Sequence, residues 1–202
     1  MLLGVALWAA AVALPRQTTA PPQKAAAARA PLPRVTIATD LGEIVVELEP
    51  ERAPVTVANF WRYMDAAYYD GGRFHRTVTL NPDNQPNNKV KIEVIQAGPR
   101  PGVELFPPLA LERTSQTGLR HADGAISMGR TDPDTARGDF FICVGRQPEL
   151  DFGGARNPDG QGFAAFGRVV RGMDVVRRIH LAPVEAQRLT PPVKIHSIRR
   201  RS

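Results

Sequence analysis

The sequence predicts a mainly β domain, an antiparallel barrel or sandwich, and three observations carry that reading. Short stretches with apolar residues at every second position recur along the chain. Loops rich in Gly, Pro, Asn and Asp separate them, and the roughly 30-residue strand–helix–strand rhythm of a parallel sheet is missing. With 202 residues, 43% hydrophobic and 23% charged, the chain is long enough for one domain with a core of its own.

The elements follow in order. Val35, Ile37 and Thr39 alternate with other residues, and after Asp40-Leu41-Gly42 the alternation resumes at Ile44, Val46 and Leu48, which reads as a β-hairpin. Ala53-Pro54 opens a helix whose apolar positions are Val57, Phe60, Trp61 and Met64, with proline in the first turn, where its missing N–H costs nothing. That helix is expected to end near Tyr69, before Asp70-Gly71-Gly72, with Phe60, Trp61 and Met64 plugging the core. Further strands are expected at 73–78, 91–96, 125–128, 139–144, 163–170 and 193–198, with a short helix at 174–180, giving eight strands and two helices. Residues 81–88 (NPDNQPNN) and 153–162 are polar loops.

The N-terminal 34 residues read differently. Leu2 to Leu14 is an apolar run, too short for the roughly 20 residues of a bilayer span but matching the roughly 7–15 residues of a secretory apolar region. Small residues follow at Ala11-Val12-Ala13 and Thr18-Thr19-Ala20, although no Lys or Arg precedes the run. The expectation is an export signal or N-terminal anchor over 1–20, a disordered Ala/Pro-rich linker over 21–34 and a folded domain over 35–202. The protein would then be periplasmic or secreted, with transient membrane association through the N-terminal segment; the alternative is a protein anchored to the membrane by that segment left uncleaved.

Charge and residue types exclude several chemistries. Of the net +6, residues 1–34 carry +4, and part of the remaining +2 is the run Arg199-Arg200-Arg201, so no basic face for nucleic acid is expected. Cys143 is the single cysteine and sits in an apolar run, which excludes a disulfide framework and reads as a small buried hydrophobe. His75, His121, His180 and His196 are scattered without metal-ligand spacing, and His75 is read as structural. There is no GxSxG elbow, no phosphate-binding loop and no dinucleotide fingerprint.

What remains is an ordered series: Phe74-His75-Arg76, Val94-Ile95-Gln96-Ala97-Gly98, Gly124 to Arg130, Gly138-Asp139-Phe140-Phe141-Ile142, Glu149-Leu150-Asp151, and Phe166 to Val176. From about Val35 to Arg200 it resembles the cyclophilin family of peptidyl-prolyl cis-trans isomerases, especially the bacterial exported branch. The resemblance implies a closed eight-stranded antiparallel β-barrel capped by two α-helices, with a substrate groove on its outer face. It implies an isomerase of X–Pro bonds in unfolded or newly exported proteins, a monomer with proline-containing polypeptides as partners and no cofactor, metal or nucleic acid. Arg76 matches the catalytic arginine, Gln96 the glutamine that orients it, and Phe141 the platform for the proline ring. Val94, Leu150 and Phe163 match pocket walls, and Gly129 and Arg130 the backbone stretch that binds the residue before proline. Adjacent strand residues face opposite ways, so Phe140 is assigned to the core and Phe141 to the groove.

Three departures from the family pattern stand out. The connection between Arg76 and Gln96 is lengthened, and Glu93 occupies the aligned place of a groove phenylalanine. Asp139 stands where glutamine is common, and Gly129-Arg130 where a small residue plus asparagine is common. Glu149 replaces an aromatic residue, offering neither an indole N–H nor an apolar face, so weak cyclosporin binding is expected. If Glu93, Asp139 and Glu149 lie near the groove, they should favour cationic or polar peptides. The altered walls also motivate an alternative, a binding module that holds proline-containing segments with little turnover.

Overall fold

A computed structural model describes residues 31–201. The expected export signal over 1–20 and most of the linker over 21–34 lie outside the described residues. The strands are β1 (Arg34–Thr39), β2 (Gly42–Leu48), β3 (Arg73–Val78), β4 (Val94–Gly98), β5 (Ala125–Met128), β6 (Phe140–Cys143), β7 (Ala165–Arg171), β8 (Val184–Glu185) and β9 (Arg188–Arg201). The helices are α1 (Pro54–Asp65), α2 (Thr114–Thr117) and α3 (Met173–His180).

Every strand pairing is antiparallel, in the order β1-β2-β7-β5-β6-β4-β3-β9, and β9 pairs back onto β1, so eight strands close a barrel. Closure leaves no free sheet edge among these eight. The two-residue β8 is an appendage, folded onto the start of β9 by a hairpin turn at Ala186-Gln187.

Local chemistry explains the elements. The β1–β2 turn is tightened by Thr39, whose Oγ1 donates to the Gly42 carbonyl at 2.7 Å and accepts from the Leu41 N–H at 3.2 Å. Gly42 has φ +124°, a region closed to residues with a Cβ. Pro54 starts α1, and the distant Glu112 carboxylate accepts from the Val55 and Thr56 N–H groups at 3.1 and 2.8 Å. That acid satisfies two of the helix's orphan donors and sits at the positive end of its dipole.

The barrel interior is filled. Val35, Ile37, Ile44, Val46 and Leu48 enter from the first hairpin, while α1 contributes Val57, Phe60, Tyr63 and Met64 and α3 contributes Val175, Val176 and Ile179. Phe60 lies at 5.3–5.7 Å centroid distance from Tyr69, Phe140 and Phe166, so aromatic rings dominate the centre. Trp61 packs against this plug from its margin: it is half-buried, with the Arg200 guanidinium 4.7 Å from its ring, while Tyr63 is fully buried within the cluster. Helix α1 stops at Asp65 rather than near Tyr69, because Ala67 adopts φ +55° and turns the chain toward β3. Strand β4 begins at Val94, not 91, because Gln85 Oε1 takes the Ile92 N–H at 3.1 Å that a ladder would otherwise use. The short α2 and β8 have no counterpart in the expected elements.

Candidate functional site

A bulge in β3 aims the first functional side chain. Phe74 pairs with Ala97 and points into the barrel, and Thr77 pairs with Ile95 and does the same. Between them the register shifts, so that Arg76 sits opposite Gln96 with His75 as the extra residue. Strict alternation would send Arg76 into the core with Phe74; the bulge turns it outward.

Arg76, Gln96 and Phe141 then fall in one row across three strands, because Arg76 pairs with Gln96 on β4 and Gln96 pairs with Phe141 on β6. At about 4.8 Å per strand, the backbones of Arg76 and Phe141 are roughly 10 Å apart on one face. The next row is apolar: Val78, Val94, Cys143 and Ala125 pack with Phe141, Leu150 and Ile92 as a second cluster, and Phe163 rests against it. Phe140, next to Phe141, belongs to the interior cluster.

These side chains border a cavity of about 220 Å³ on the outer wall of the barrel. All eight residues read from the sequence line it: Arg76, Gln96, Phe141, Val94, Gly129, Arg130, Leu150 and Phe163. Ile92, Arg156 and Asn157 line it too, none of them singled out beforehand. Ile92 supplies the apolar wall that Glu93 seemed unable to provide, since residues 92 and 94 share a face. Among the lining residues there is no carboxylate, hydroxyl, thiol or imidazole. The arrangement can grip, orient and hydrogen-bond, but it has no nucleophile and no group that exchanges a proton near neutral pH.

The Arg76 fork is held from two sides. Its Nη1 donates to Gln96 Oε1 at 2.9 Å, and its Nε and Nη2 donate to Gln187 Oε1 at 2.9 and 2.6 Å. Gln187, in the β8–β9 turn, donates its own amide to the Asn84 carbonyl at 2.9 Å. The polar 81–88 loop thereby braces the arginine through Gln187. That loop is organised by the buried Gln85, whose amide nitrogen donates to the carbonyls of Thr79 and Ile92 at 3.1 and 2.8 Å. Burial depresses the Arg76 guanidinium from its ordinary value, and Arg156 adds to the effect, but an arginine stays charged in the working range.

The opposite wall is fixed by the 153–162 loop. Glu149 accepts the Ala155 N–H at 2.9 Å, and Arg156 donates to Gln85 Oε1 and the Val90 carbonyl at 3.0 and 2.6 Å, tying the two polar loops together. The Arg130 side chain is fully buried: it forks onto Asp159 at 2.8 and 2.9 Å, donates to the Gly162 carbonyl at 2.8 Å and lies 5.1 Å from the Phe163 ring. Its side chain fastens the loop, which leaves only its backbone for a peptide. At Gly129 a Cβ would stand 3.3 Å from Asp139 Cβ, closer than an ordinary contact, and at ordinary contact distance, 3.5 Å, from Gln96 Nε2.

The sequence reading made a peptide preference conditional on three acids lying near the groove. Neither Glu93, Asp139 nor Glu149 lines the 220 Å³ cavity, and the charged groups that do are Arg76, Arg130 and Arg156. Glu93 and Glu149 line none of the neighbouring cavities, and Asp139 lies beside the groove rather than in it. Asp139 borders a neighbouring cavity, accepts from Gln96 Nε2 at 3.2 Å and lies 3.9 Å from His75 Nε2. Burial raises its carboxyl above the ordinary range despite those two partners. His75, expected to be structural, is half-exposed on the outer face.

Beneath the floor is a constellation that scattered histidines gave no hint of. His121 Nδ1 meets Asp151 Oδ1 at 2.8 Å and His121 Nε2 meets Ser127 Oγ at 2.9 Å, while the imidazole stacks on Phe141 at 5.9 Å and 15°. The order Asp–His–Ser matches an acyl-transfer triad, but Ser127 is completely buried and none of the three borders the cavity. The network instead fixes the Phe141 ring from below, with Phe163 edge-on at 5.3 Å. Cys143 is buried in the same wall, and burial pushes its thiol up, so it is not a nucleophile at neutral pH. Among the described residues no group of three or more His, Cys, Asp or Glu could hold a metal ion.

A family model described as cyclophilin type peptidyl-prolyl cis-trans isomerase/CLD matches residues 34–200. The chain is 35% identical over 147 residues to the peptidyl-prolyl cis-trans isomerase cyp18 of Streptomyces antibioticus, covering 72% of this chain and 81% of that one. It is 31% identical over 174 residues to a peptidyl-prolyl cis-trans isomerase of Acinetobacter baylyi, covering 83% and 85%. Among solved structures, a cyclophilin type peptidyl-prolyl cis-trans isomerase of Cryptosporidium parvum shares the fold with a TM-score of 0.68 at 20% identity, over 85% of this chain and 98% of that one.

Proposed function

The chain belongs to the cyclophilin-type family of peptidyl-prolyl cis-trans isomerases, and we propose that it turns X–Pro bonds of unfolded or newly exported proteins in the groove bordered by Arg76, Gln96 and Phe141. One observation carries the assignment of the site: a braced guanidinium and an aromatic floor share one shallow cavity that holds no nucleophile.

The reaction asks for little more. Rotation about an X–Pro amide crosses about 18–20 kcal/mol because resonance stiffens C–N. The two isomers differ by only about 0.5–1 kcal/mol, so the obstacle is kinetic. No bond is broken. The Arg76 fork donates toward the prolyl nitrogen, drawing its lone pair out of conjugation with the carbonyl. Phe141, with Val94, Ile92, Leu150 and Phe163 around it, holds the pyrrolidine ring and shields the amide from water. The proline side is thus fixed while the acyl side turns against Gln96 and the backbone of Gly129-Arg130. A 10⁵-fold acceleration corresponds to about 7 kcal/mol, within reach of positioning combined with one charged donor.

The test is cis–trans exchange of an Ala-Pro-Phe peptide, followed by NMR, with the wild type and Arg76→Ala. The wild type should accelerate exchange, and the variant should lose about 10²–10³-fold in kcat/KM, the usual cost of removing one such donor. Equal rates for both would sink the site; no acceleration by either would leave a module that holds proline-containing segments. The apolar run Leu2–Leu14 supports export to the periplasm or medium. Sequencing the N-terminus of the mature protein checks it, and a soluble form beginning at Met1 would count against it. We also propose that it acts as a monomer; sedimentation at working concentration reads this directly.

A further inference from the structure

A second and larger cavity, about 750 Å³, opens on the other side of Arg76 and shares Arg76 with the proline groove. Arg73, His75, Arg76 and Arg188 line it, with Gln187 between them and rigid proline rings in the wall. None of its lining residues is acidic. Among the described residues, Arg73 and Arg188 form no ion pair, whereas most of the protein's other surface arginines do. The sheet even places like charges opposite each other here: Arg76 pairs with Arg188, and Arg73 with Lys194. Directly opposed like charges destabilise a strand pair, and a carboxylate seated between them would reverse that penalty. Two acids approach this wall: Asp139, 3.9 Å from His75, is engaged by Gln96 and borders a different cavity, and Glu185 pairs with Arg188 across the β8–β9 hairpin, although among the described residues no ion pair joins the two.

We propose that this cavity is an anion subsite for an Asp or Glu side chain of the client, so that the enzyme selects X–Pro bonds flanked by acidic residues. The inference rests on the proline groove being the reaction site, since it places the client's acid relative to that groove. Spacing limits where the acid sits. Because His75 is the bulge's extra residue, Arg73 and Arg76 are two ladder steps apart, about 7 Å, and an extended client chain advances about 3.4 Å per residue. The acid therefore lies within about three residues of the proline. Selection would be electrostatic, strongest at low ionic strength and weakened once the screening length falls below the site's dimensions.

The experiment uses the full chain and fluorescein-labelled peptides with one Ala-Pro bond. In turn, each of the three positions on either side of the bond carries Glu, Gln or Lys. Dissociation constants are measured at low salt and at about 0.5 M NaCl, alongside NMR exchange on the all-neutral peptide. At one position or more, Glu should bind about tenfold tighter than Lys, the sum expected of two or three exposed charge pairs. That advantage should shrink to less than about threefold in Arg73→Ala/Arg188→Ala and at high salt. It should reverse in Arg73→Glu/Arg188→Glu, while the neutral peptide binds all forms alike and so reports on folding. No position at which Glu outbinds Lys, or an advantage that survives in both double variants, overturns the subsite. Normal exchange with no acid preference removes the subsite alone; a clear acid preference without exchange removes the isomerase reading and leaves the subsite standing.

Discussion

Phe140 and Phe141 are consecutive residues on one strand, yet they serve opposite surfaces of the barrel. Phe140 sits among Phe60, Tyr69 and Phe74 at 5.5–6.0 Å in edge-on contacts, closed on every side. Phe141 is backed by the His121 imidazole and flanked by Phe163, with the remaining side facing the cavity. The inner layer is packed to exclusion and leaves a ligand no room. The outer layer is a second, smaller apolar cluster left open on one side. Strand alternation alone creates both, so stability and recognition are separated by a single residue step.

That contrast is open to direct attack. Phe140→Ala should cost about 3–5 kcal/mol of stability, the usual range for a buried phenylalanine, read by urea unfolding. Phe141→Ala should cost clearly less stability but lower kcat/KM for an Ala-Pro peptide by about 10–100-fold, mostly through the lost ring contact. If the two variants lost stability equally and Phe141→Ala kept its activity, the division of labour would be wrong.

Smaller effects sharpen the picture. Gln187→Ala should lower kcat about tenfold with little change in KM, because it frees the Arg76 fork without touching the floor. An unchanged kcat would show that Gln96 alone suffices to hold the arginine. On the far side of the barrel, Glu47 is gripped by Arg168 at 2.9 Å and by Arg34 at 2.9 and 3.1 Å, and these bonds hold its carboxyl below the usual range. A depressed folded-state value means the stabilisation is complete above the unfolded carboxyl's pKa, about 4.3. It is lost as pH falls through the folded value. Glu47→Gln should flatten the stability–pH slope below about pH 4.3 while leaving exchange at pH 7 unaltered. A slope unchanged by the substitution would assign acid lability to other carboxylates, with Asp151 the next to replace.

Much of this was readable from local patterns. The first hairpin, α1, α3 and most strands carry their periodicity and their turn residues in the sequence, and β3 and β5 have the expected bounds. The eight site residues rested on motifs, and the fold brings all of them to one cavity. What escaped notice is long-range. Gln187 reaches Arg76 across 111 positions and Arg156 reaches Gln85 across 71, and neither partner carries a local signature. His121 and Asp151 meet only because the chain after β6 folds back beneath the floor. The β3 bulge is hidden for another reason: Phe74-His75-Arg76 looks like an ordinary alternating strand, and only the two-for-one pairing with β4 reveals that Arg76 has changed faces. Trp61 lies at the margin because helical spacing marks an apolar face without fixing its edges: one side of the ring packs against the core and an arginine approaches the ring as well.

The most direct measurement is a crystal structure of the protein with an Ala-Pro peptide bound. The account predicts the pyrrolidine ring seated on Phe141 within the 220 Å³ cavity, with the Arg76 guanidinium within hydrogen-bonding reach of the prolyl amide. A peptide bound away from that cavity, or a proline ring with Arg76 directed elsewhere, would contradict it.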